Sequence, residues 1–167
     1  EAEYIDIENV TGSGLSSDQS GVEMIFGDGT DAQKALGWSG GYYVGYTYTS
    51  ECEMEFVFNA DKASTGTVVV RLGSELGNIM LTPSAVSFSL NGANINYGSL
   101  SLQNSASMAE MKFKDYQLAA NATIKQGENK LVMKINQNNL RGSSTGGPTI
   151  DCVKITTDAV ITYDAKT

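Results

Sequence analysis

The chain has 167 residues and 41% hydrophobic content, which is enough for one domain with a core and too little for two. Its 19 acidic and 11 basic residues give a formal net charge of −8, which argues against nucleic acid as a partner. No apolar run approaches the length of a membrane span. Histidine is absent, which removes the commonest general base and zinc ligand. The sequence starts without Met or a signal peptide, so we expect a mature or excised segment.

Alternation of apolar and polar residues with a period of two dominates the chain and predicts β-strands. Asn91-Gly92 predicts a tight hairpin turn, and a second turn is predicted at Gly127-Glu128-Asn129. A helical turn or two is predicted only at residues 106–111. The predicted strands are residues 52–58, 66–72, 86–90, 131–135 and 153–155, with a short last strand at 160–163.

Short strands separated by turns rich in glycine indicate an all-β fold, an antiparallel β-sandwich with jelly-roll topology. The chain has 18 glycines and two prolines. We expect one domain over residues 1–163. Residues 164–167 lose the apolar pattern and are interpreted as a tail or the start of a linker.

The two cysteines, Cys52 and Cys152, each lie in an apolar, strand-like run. Their spacing of 100 positions excludes a C-x-x-C metal or redox motif. They either form a disulfide or stay as buried free thiols on separate strands, and the second interpretation is favoured.

Acidic residues lie in strand-like segments at both ends of the chain. Glu1 and Glu3 alternate, so they aim two carboxylates at one side, and Asp151 opens the last strongly apolar run. Three carboxylates gathered without cationic partners repel one another, and a hard cation such as calcium relieves that repulsion. Solvated strand ends are the alternative.

Four segments in order resemble the carbohydrate-binding modules of families 6 and 35. They are Glu1-Ala2-Glu3, Ser39-Gly40-Gly41-Tyr42-Tyr43-Val44-Gly45, residues 113–131 and residues 150–155. The resemblance implies a non-catalytic jelly roll that holds a polysaccharide-degrading enzyme on its glycan. It also implies a structural calcium, with Glu1, Glu3, Asp151 and a carbonyl near Ser39 as ligands. The module is expected to be monomeric, bacterial, secreted or on the cell surface, and tethered to a catalytic domain.

Two segments are candidates for the sugar site that the resemblance implies. Residues 38–48 contain the only Trp and four of the eight Tyr, and sugars stack on such rings. Alternate residues of this run could instead enter the core. Residues 136–147 are expected to form a polar, glycine-rich loop whose amides and hydroxyls could bind sugar hydroxyls. An ordinary solvated loop has the same composition. The predicted sugar-binding residues are Trp38, Tyr42, Tyr43, Asn138, Asn139, Arg141, Ser143 and Thr149.

Two departures from the family pattern favour an alternative function. Thr149 stands where related modules often have an Asn that binds sugar, and residues 106–112 lack the usual second aromatic. A structural or adhesive surface domain that keeps calcium and has lost sugar binding is therefore the alternative. An enzyme is disfavoured, because the sequence has no nucleophile elbow, phosphate loop or histidine base.

Overall fold

A computed structural model describes most of the chain after residue 51 and four strands before it. Side chains are described for residues 52–74, 77–104, 112–136 and 147–163. Backbone alone is described for Ala2–Ile5, Glu8–Gly12, Glu23–Phe26 and Tyr42–Gly45. Within these residues, no helix is long and apolar enough to cross a membrane.

The described elements are strands, and every described pair of neighbours is antiparallel, in two six-stranded sheets and one two-stranded sheet. The first sheet has the order β11 (Lys114–Ile124), β6 (Ser64–Gly73), β13 (Thr149–Thr157), β4 (Tyr42–Gly45) and β3 (Glu23–Phe26), with β1 (Ala2–Ile5) also beside β13. The second has the order β14 (Ile161–Thr162), β5 (Cys52–Ala60), β12 (Gly127–Ile135), β8 (Val86–Leu90) and β9 (Ala93–Asn94), with β2 (Glu8–Gly12) also beside β5. β10 (Leu100–Leu102) pairs with β7 (Ile79–Leu81).

One hydrophobic core lies between the two large sheets. Phe56 and Phe88 from the second sheet are buried in the same cluster as Val68 and Ile155 from the first. In β5 the odd-numbered residues are more exposed than the even-numbered ones, because successive side chains of a strand point to opposite faces. The all-β, antiparallel sandwich predicted from the sequence is therefore confirmed, while the jelly-roll topology stays a prediction.

The strands predicted from alternation are confirmed within β5, β6, β8, β12 and β13, and the short last strand is confirmed as β14. The predicted Asn91-Gly92 turn joins β8 to β9, with φ angles of 51° and 84°. Positive φ at both central residues matches the right-handed twist of a hairpin. The predicted helical turn at residues 106–111 lies outside the described residues.

The turn predicted at Gly127–Asn129 is wrong by two residues. Gly127 opens β12, and the chain reverses at Lys125 and Gln126. Asn129 is fully buried: its Oδ1 accepts from Lys125 N (3.0 Å), and its Nδ2 donates to Lys125 O (2.9 Å) and Gly127 O (3.0 Å). The side chain of Asn129 therefore stabilises the turn, while its backbone belongs to β12.

Both cysteines are buried free thiols, which confirms the favoured interpretation. Cys52 lies in the second sheet and Cys152 in the first. Burial raises the pKa of the Cys52 thiol to about 12, although a hydrogen bond with the Ile135 backbone opposes the shift. Such a thiol is unreactive in the native state.

Candidate functional site

Part of the predicted sugar site comes together at the start of β13. Val44 of β4 pairs with Ile150 of β13, so the backbone of β4, which carries Tyr42 and Tyr43, runs beside the segment that begins with Thr149. The side chains of β4 are not described. The backbone thus places Tyr42 and Tyr43, two of the predicted aromatic residues of the site, on the strand next to Thr149.

Other predicted site residues lie outside the part of the chain that the structure describes. Their roles in binding sugar or metal stay predictions. They are Trp38, Asn138, Asn139, Arg141 and Ser143 for sugar, and Glu1 and Ser39 for metal.

Thr149 is buried, with 1% of its surface exposed, and it pairs with Gly73 at the end of β6. A sugar could reach its hydroxyl only after the residues that cover it had moved. Thr149 therefore differs from an exposed Asn at the rim of a cleft, whose amide would face a sugar directly.

Asp151 occupies a β-bulge near the start of β13. Ile150 pairs with Leu72 and Cys152 pairs with Arg71, so Asp151 is the extra residue between two regular pairs. Its side chain is fully buried, and its Oδ2 lies 3.2 Å from Nε of Arg71. The premise that this carboxylate lacks a cationic partner is therefore wrong.

Arg71 belongs to a charge network that crosses three strands of the first sheet. Its Nη1 donates to Oδ1 of Asp115 in β11 at 2.8 Å, and Nζ of Lys154 in β13 lies 2.5 Å from Oδ2 of Asp115. Burial acts to raise the pKa of Asp115, but the hydrogen bonds and charges of Lys154 and Arg71 outweigh it and lower the pKa. Two cations and two carboxylates thus neutralise one another on this face.

Glu3 lies some distance from Asp151 along the same pair of strands. Glu3 pairs with Ile155 and Ile5 pairs with Val153, so the backbone of Glu3 lies four residues along β13 from Asp151. At about 3.3 Å per residue this separation is roughly 13 Å. Among the residues whose side chains are described, no three Asp, Glu, Cys or His groups gather in a way that could hold a metal ion.

The sequence reasoning missed Arg71 and gave no role to Asp115. Arg71 interrupts the apolar run of β6, Val68-Val69-Val70-Arg71-Leu72, on its alternate face. A lone cation inside such a run signals a buried or half-buried anionic partner, since an unpaired charge there is costly. That signal could have been combined with Asp151, the lone acid in the apolar run of β13.

No family model and no curated protein matches this sequence. Solved structures with the same fold do match. A family 35 carbohydrate-binding module from Clostridium thermocellum is 15% identical with a TM-score of 0.54, over 93% of this chain and 97% of that one.

Two further structures extend the comparison. Xyl-CBM35, solved in complex with a disaccharide containing glucuronic acid, is 11% identical with a TM-score of 0.54, over 100% of this chain and 95% of that one. The GH26-CBM35 β-(1,4)-mannanase of Podospora anserina is 13% identical with a TM-score of 0.55, over 95% of this chain but 28% of the mannanase. These identities support a statement about the fold, which agrees with the resemblance found in the motifs. The fold of this chain is that of the family 35 carbohydrate-binding modules.

Proposed function

We propose that this chain is a non-catalytic carbohydrate-binding module that attaches a secreted polysaccharide-degrading enzyme to its glycan. The observation that carries the proposal is the extent of the fold likeness, which spans 93% of this chain and 97% of an isolated family 35 module. Within the mannanase, the matching portion is 28% of a longer chain. Both comparisons support a unit of module size that works beside a separate catalytic domain.

The chemistry of the site that we propose is sugar stacking on aromatic rings with hydrogen bonds from short polar groups. Trp38, Tyr42 and Tyr43 supply the rings, and the polar loop of residues 136–147 supplies amides and hydroxyls. The pairing of Val44 with Ile150 supports this assignment, because it runs β4 beside the strand that follows the polar loop. Affinities between micromolar and millimolar are expected from one or two stacked rings, about −8 to −4 kcal/mol.

Calorimetry against xylan, mannan, galactan, α-glucan and pectin oligosaccharides tests the proposal. Binding to at least one of them is expected, and silence across the whole panel would overturn it. Trp38→Ala and Tyr43→Ala should abolish binding while the melting temperature stays near that of the wild type. Tyr116→Ala removes an aromatic ring from β11, on the far edge of the first sheet, and should leave affinity unchanged.

The burial of Thr149 favours the second candidate, a structural or adhesive domain on a cell surface. In that case the loops would bind no sugar, and the aromatic residues would serve the core. The same two substitutions separate the candidates: a lower melting temperature for Trp38→Ala and Tyr43→Ala, without any glycan binding by the wild type, supports the structural role.

A structural calcium remains a proposal of its own, with Glu1, Glu3, Asp151 and the Ser39 carbonyl as ligands. Calcium favours this kind of oxygen donor. The described residues fit the set in part: Asp151 is a buried carboxylate, whereas the backbone of Glu3 lies beside Ile155. Asp151 also has Arg71 as a cationic neighbour. The ion would therefore add to a neutralised carboxylate, and its removal by a chelator tests the proposal.

A further inference from the structure

A groove opens where the edges of the two sheets approach each other. β9 is the last strand in the order of the second sheet and β11 the last in that of the first. The space between them has a volume of about 460 Å³. Its walls come from Leu90 and residues 93–96, around β9, and from residues 118–120, 122 and 123 of β11. We call this space the β9–β11 groove.

Small side chains and an irregular edge create the groove. Ala119, Ala120 and Ala122 line it on the β11 side. The pairing of β11 with β6 shifts register between Gln117 and Ala119 and again between Ala119 and Ala122. Such irregularities bend an edge strand, and alanines leave the resulting concavity unfilled.

The opposite wall is held firmly in place. Ile95 N donates to Phe88 O at 2.8 Å, and the Tyr97 hydroxyl donates to Val86 O. The Tyr97 ring also packs edge-on against Phe88, with centroids 5.6 Å apart. A wall fixed in this way needs little ordering when a ligand binds, which favours affinity.

The lining of the groove is uncharged, although the whole chain carries a net charge of −8. Its polar side chains are Asn94, Asn96 and Thr123, and its apolar floor includes Leu90 and Leu118. The Asn94 and Thr123 side chains make no hydrogen bond to another described residue. Amides and hydroxyls both donate and accept, which matches sugar hydroxyls, while the floor suits the C–H face of a sugar ring.

We propose that the β9–β11 groove is a second carbohydrate subsite and that it takes a neutral sugar unit. The inference rests on the proposed function, since it assigns a further glycan contact to the same module. An acidic sugar is disfavoured because no Lys or Arg is among the described residues that line the groove. A volume of about 460 Å³ lies within the usual range for small-molecule sites, roughly 300–1,000 Å³.

The groove lies away from the site proposed at the start of β13. The register pairs Ala119 with Val68 and Thr123 with Thr65, whereas Thr149 pairs with Gly73. Five to eight residues of β6 therefore separate the two places, about 17–26 Å. A glycan chain that spans both would bind more tightly than either subsite alone, because the second contact becomes intramolecular.

NMR titration of isotope-labelled protein tests this subsite. The ligands are neutral xylo-, manno- and gluco-oligosaccharides and, as a comparison, an acidic aldouronic oligosaccharide. We expect a neutral ligand to shift the side-chain amide signals of Asn94 and Asn96 and the backbone signals of residues 119–123. Glycan binding that shifts only signals outside the groove overturns the subsite and leaves the proposed function intact. Absence of binding by any glycan overturns both.

Two substitutions on the walls sharpen the test. Ala120→Arg should fill the groove and abolish its signal shifts, and Asn94→Ala should weaken groove binding about fivefold to tenfold. Asn121→Arg is the matched control, because Asn121 is exposed on the same strand and does not line the groove. Equal effects of Ala120→Arg and Asn121→Arg would contradict the assignment. Ala120→Arg should leave the affinity at the Trp38 site unchanged.

Discussion

Nε of Arg71 lies 3.2 Å from Oδ2 of Asp151, and this contact joins β6, two residues before its end at Gly73, to the bulge of β13. The Asp151 side chain is fully buried, whereas 22% of the Arg71 side chain is exposed. Burying a carboxylate is costly unless a cation compensates it. The pair therefore permits an acid to lie at the start of a strand whose next residues enter the core.

Arg71→Met is expected to destabilise the fold strongly, because it removes the cation beside a buried carboxylate. Loss of one partner of a buried pair typically costs about 3–5 kcal/mol, and the partial exposure of Arg71 places the expected loss at the lower end. Urea denaturation measures the free energy of unfolding. The double variant Arg71→Met with Asp151→Asn should recover part of the loss, because the uncompensated charge is gone.

Lys62→Met is the control for this comparison. Lys62 and Asp158 form an ion pair whose side chains are 54% and 76% exposed. An exposed pair contributes at most about 1 kcal/mol. If Arg71→Met and Lys62→Met lowered the free energy of unfolding equally, the burial of Asp151 would not contribute to the effect of Arg71→Met.

Stability should fall in acid through Asp115, whose pKa is lowered in the folded state. Its pKa in the unfolded chain is about 3.9. The stability that a lowered pKa contributes is fully present above that value and is lost as the pH falls through the folded pKa. The difference in unfolding free energy between the wild type and Asp115→Asn should stay constant above about pH 5 and shrink below about pH 4.

Denaturation curves between pH 2.5 and 7 measure this difference. Asp115 faces Lys154 and Arg71, and Arg71 also contacts Asp151, so protonation of either carboxylate weakens one network. Asp158→Asn serves as the comparison, since its carboxylate is exposed beside Lys62. A difference for Asp115→Asn that is the same at pH 3 and pH 7 would contradict the prediction.

Much of the fold could be predicted from the sequence, because burial on one face imposes a period of two. β5 and β8 follow this period along their whole length. β11 escaped prediction, since it is an edge strand in which small and polar residues outnumber buried ones. Register shifts within it further break the alternation that would have marked it.

The candidate site was harder to predict, because it depends on contacts between distant segments. Nothing local in residues 66–72 shows that Arg71 meets Asp151, which is 80 positions further along the chain. The order of the four motifs predicted the fold correctly, but the register of β1 on β13 is a property of the whole sheet. Sequence patterns therefore located the strand ends without showing which side chains meet there.

Asn129 should be among the most sensitive polar residues of the chain. It is fully buried, and besides its bonds to the turn its Oδ1 accepts from Asn91 Nδ2 at 2.8 Å. Asn91 Oδ1 in turn accepts from Lys130 N at 2.9 Å, so the two side chains tie the β8–β9 hairpin to the β11–β12 turn. Asn129→Ala leaves several buried partners unsatisfied and should lower the free energy of unfolding by about 1–3 kcal/mol.

Chemical denaturation measures the loss, and Asn121→Ala provides the control, because Asn121 is exposed in β11, the preceding strand of the chain. The control should change stability by less than about 0.5 kcal/mol. A neutral result for Asn129→Ala would show that water replaces all its partners. Since the β8–β9 hairpin supplies Leu90 and Ala93 to the β9–β11 groove, Asn129→Ala should also weaken any binding there.

Removal of calcium tests the proposal that an ion stabilises the chain ends. An ion that binds only the native state raises its stability by mass action. The melting temperature should therefore fall when EDTA is added and return when excess calcium is supplied. Glu3→Gln should reduce the response to calcium, because it removes one proposed ligand, whereas Glu128→Gln, an exposed acid in β12, should not.

The network around Arg71 makes it necessary to compare the effect of EDTA with that of Arg71→Met. If the melting temperature is the same with and without EDTA after prolonged dialysis, while Arg71→Met is strongly destabilising, then Asp151 is neutralised by Arg71 and the calcium proposal is wrong. If EDTA and Arg71→Met each lower the stability of the fold, then both the ion and the Arg71 guanidinium stabilise β13. A calcium response that persists in Asp151→Asn would assign the ion to other ligands, because this variant lacks the charge of one proposed ligand.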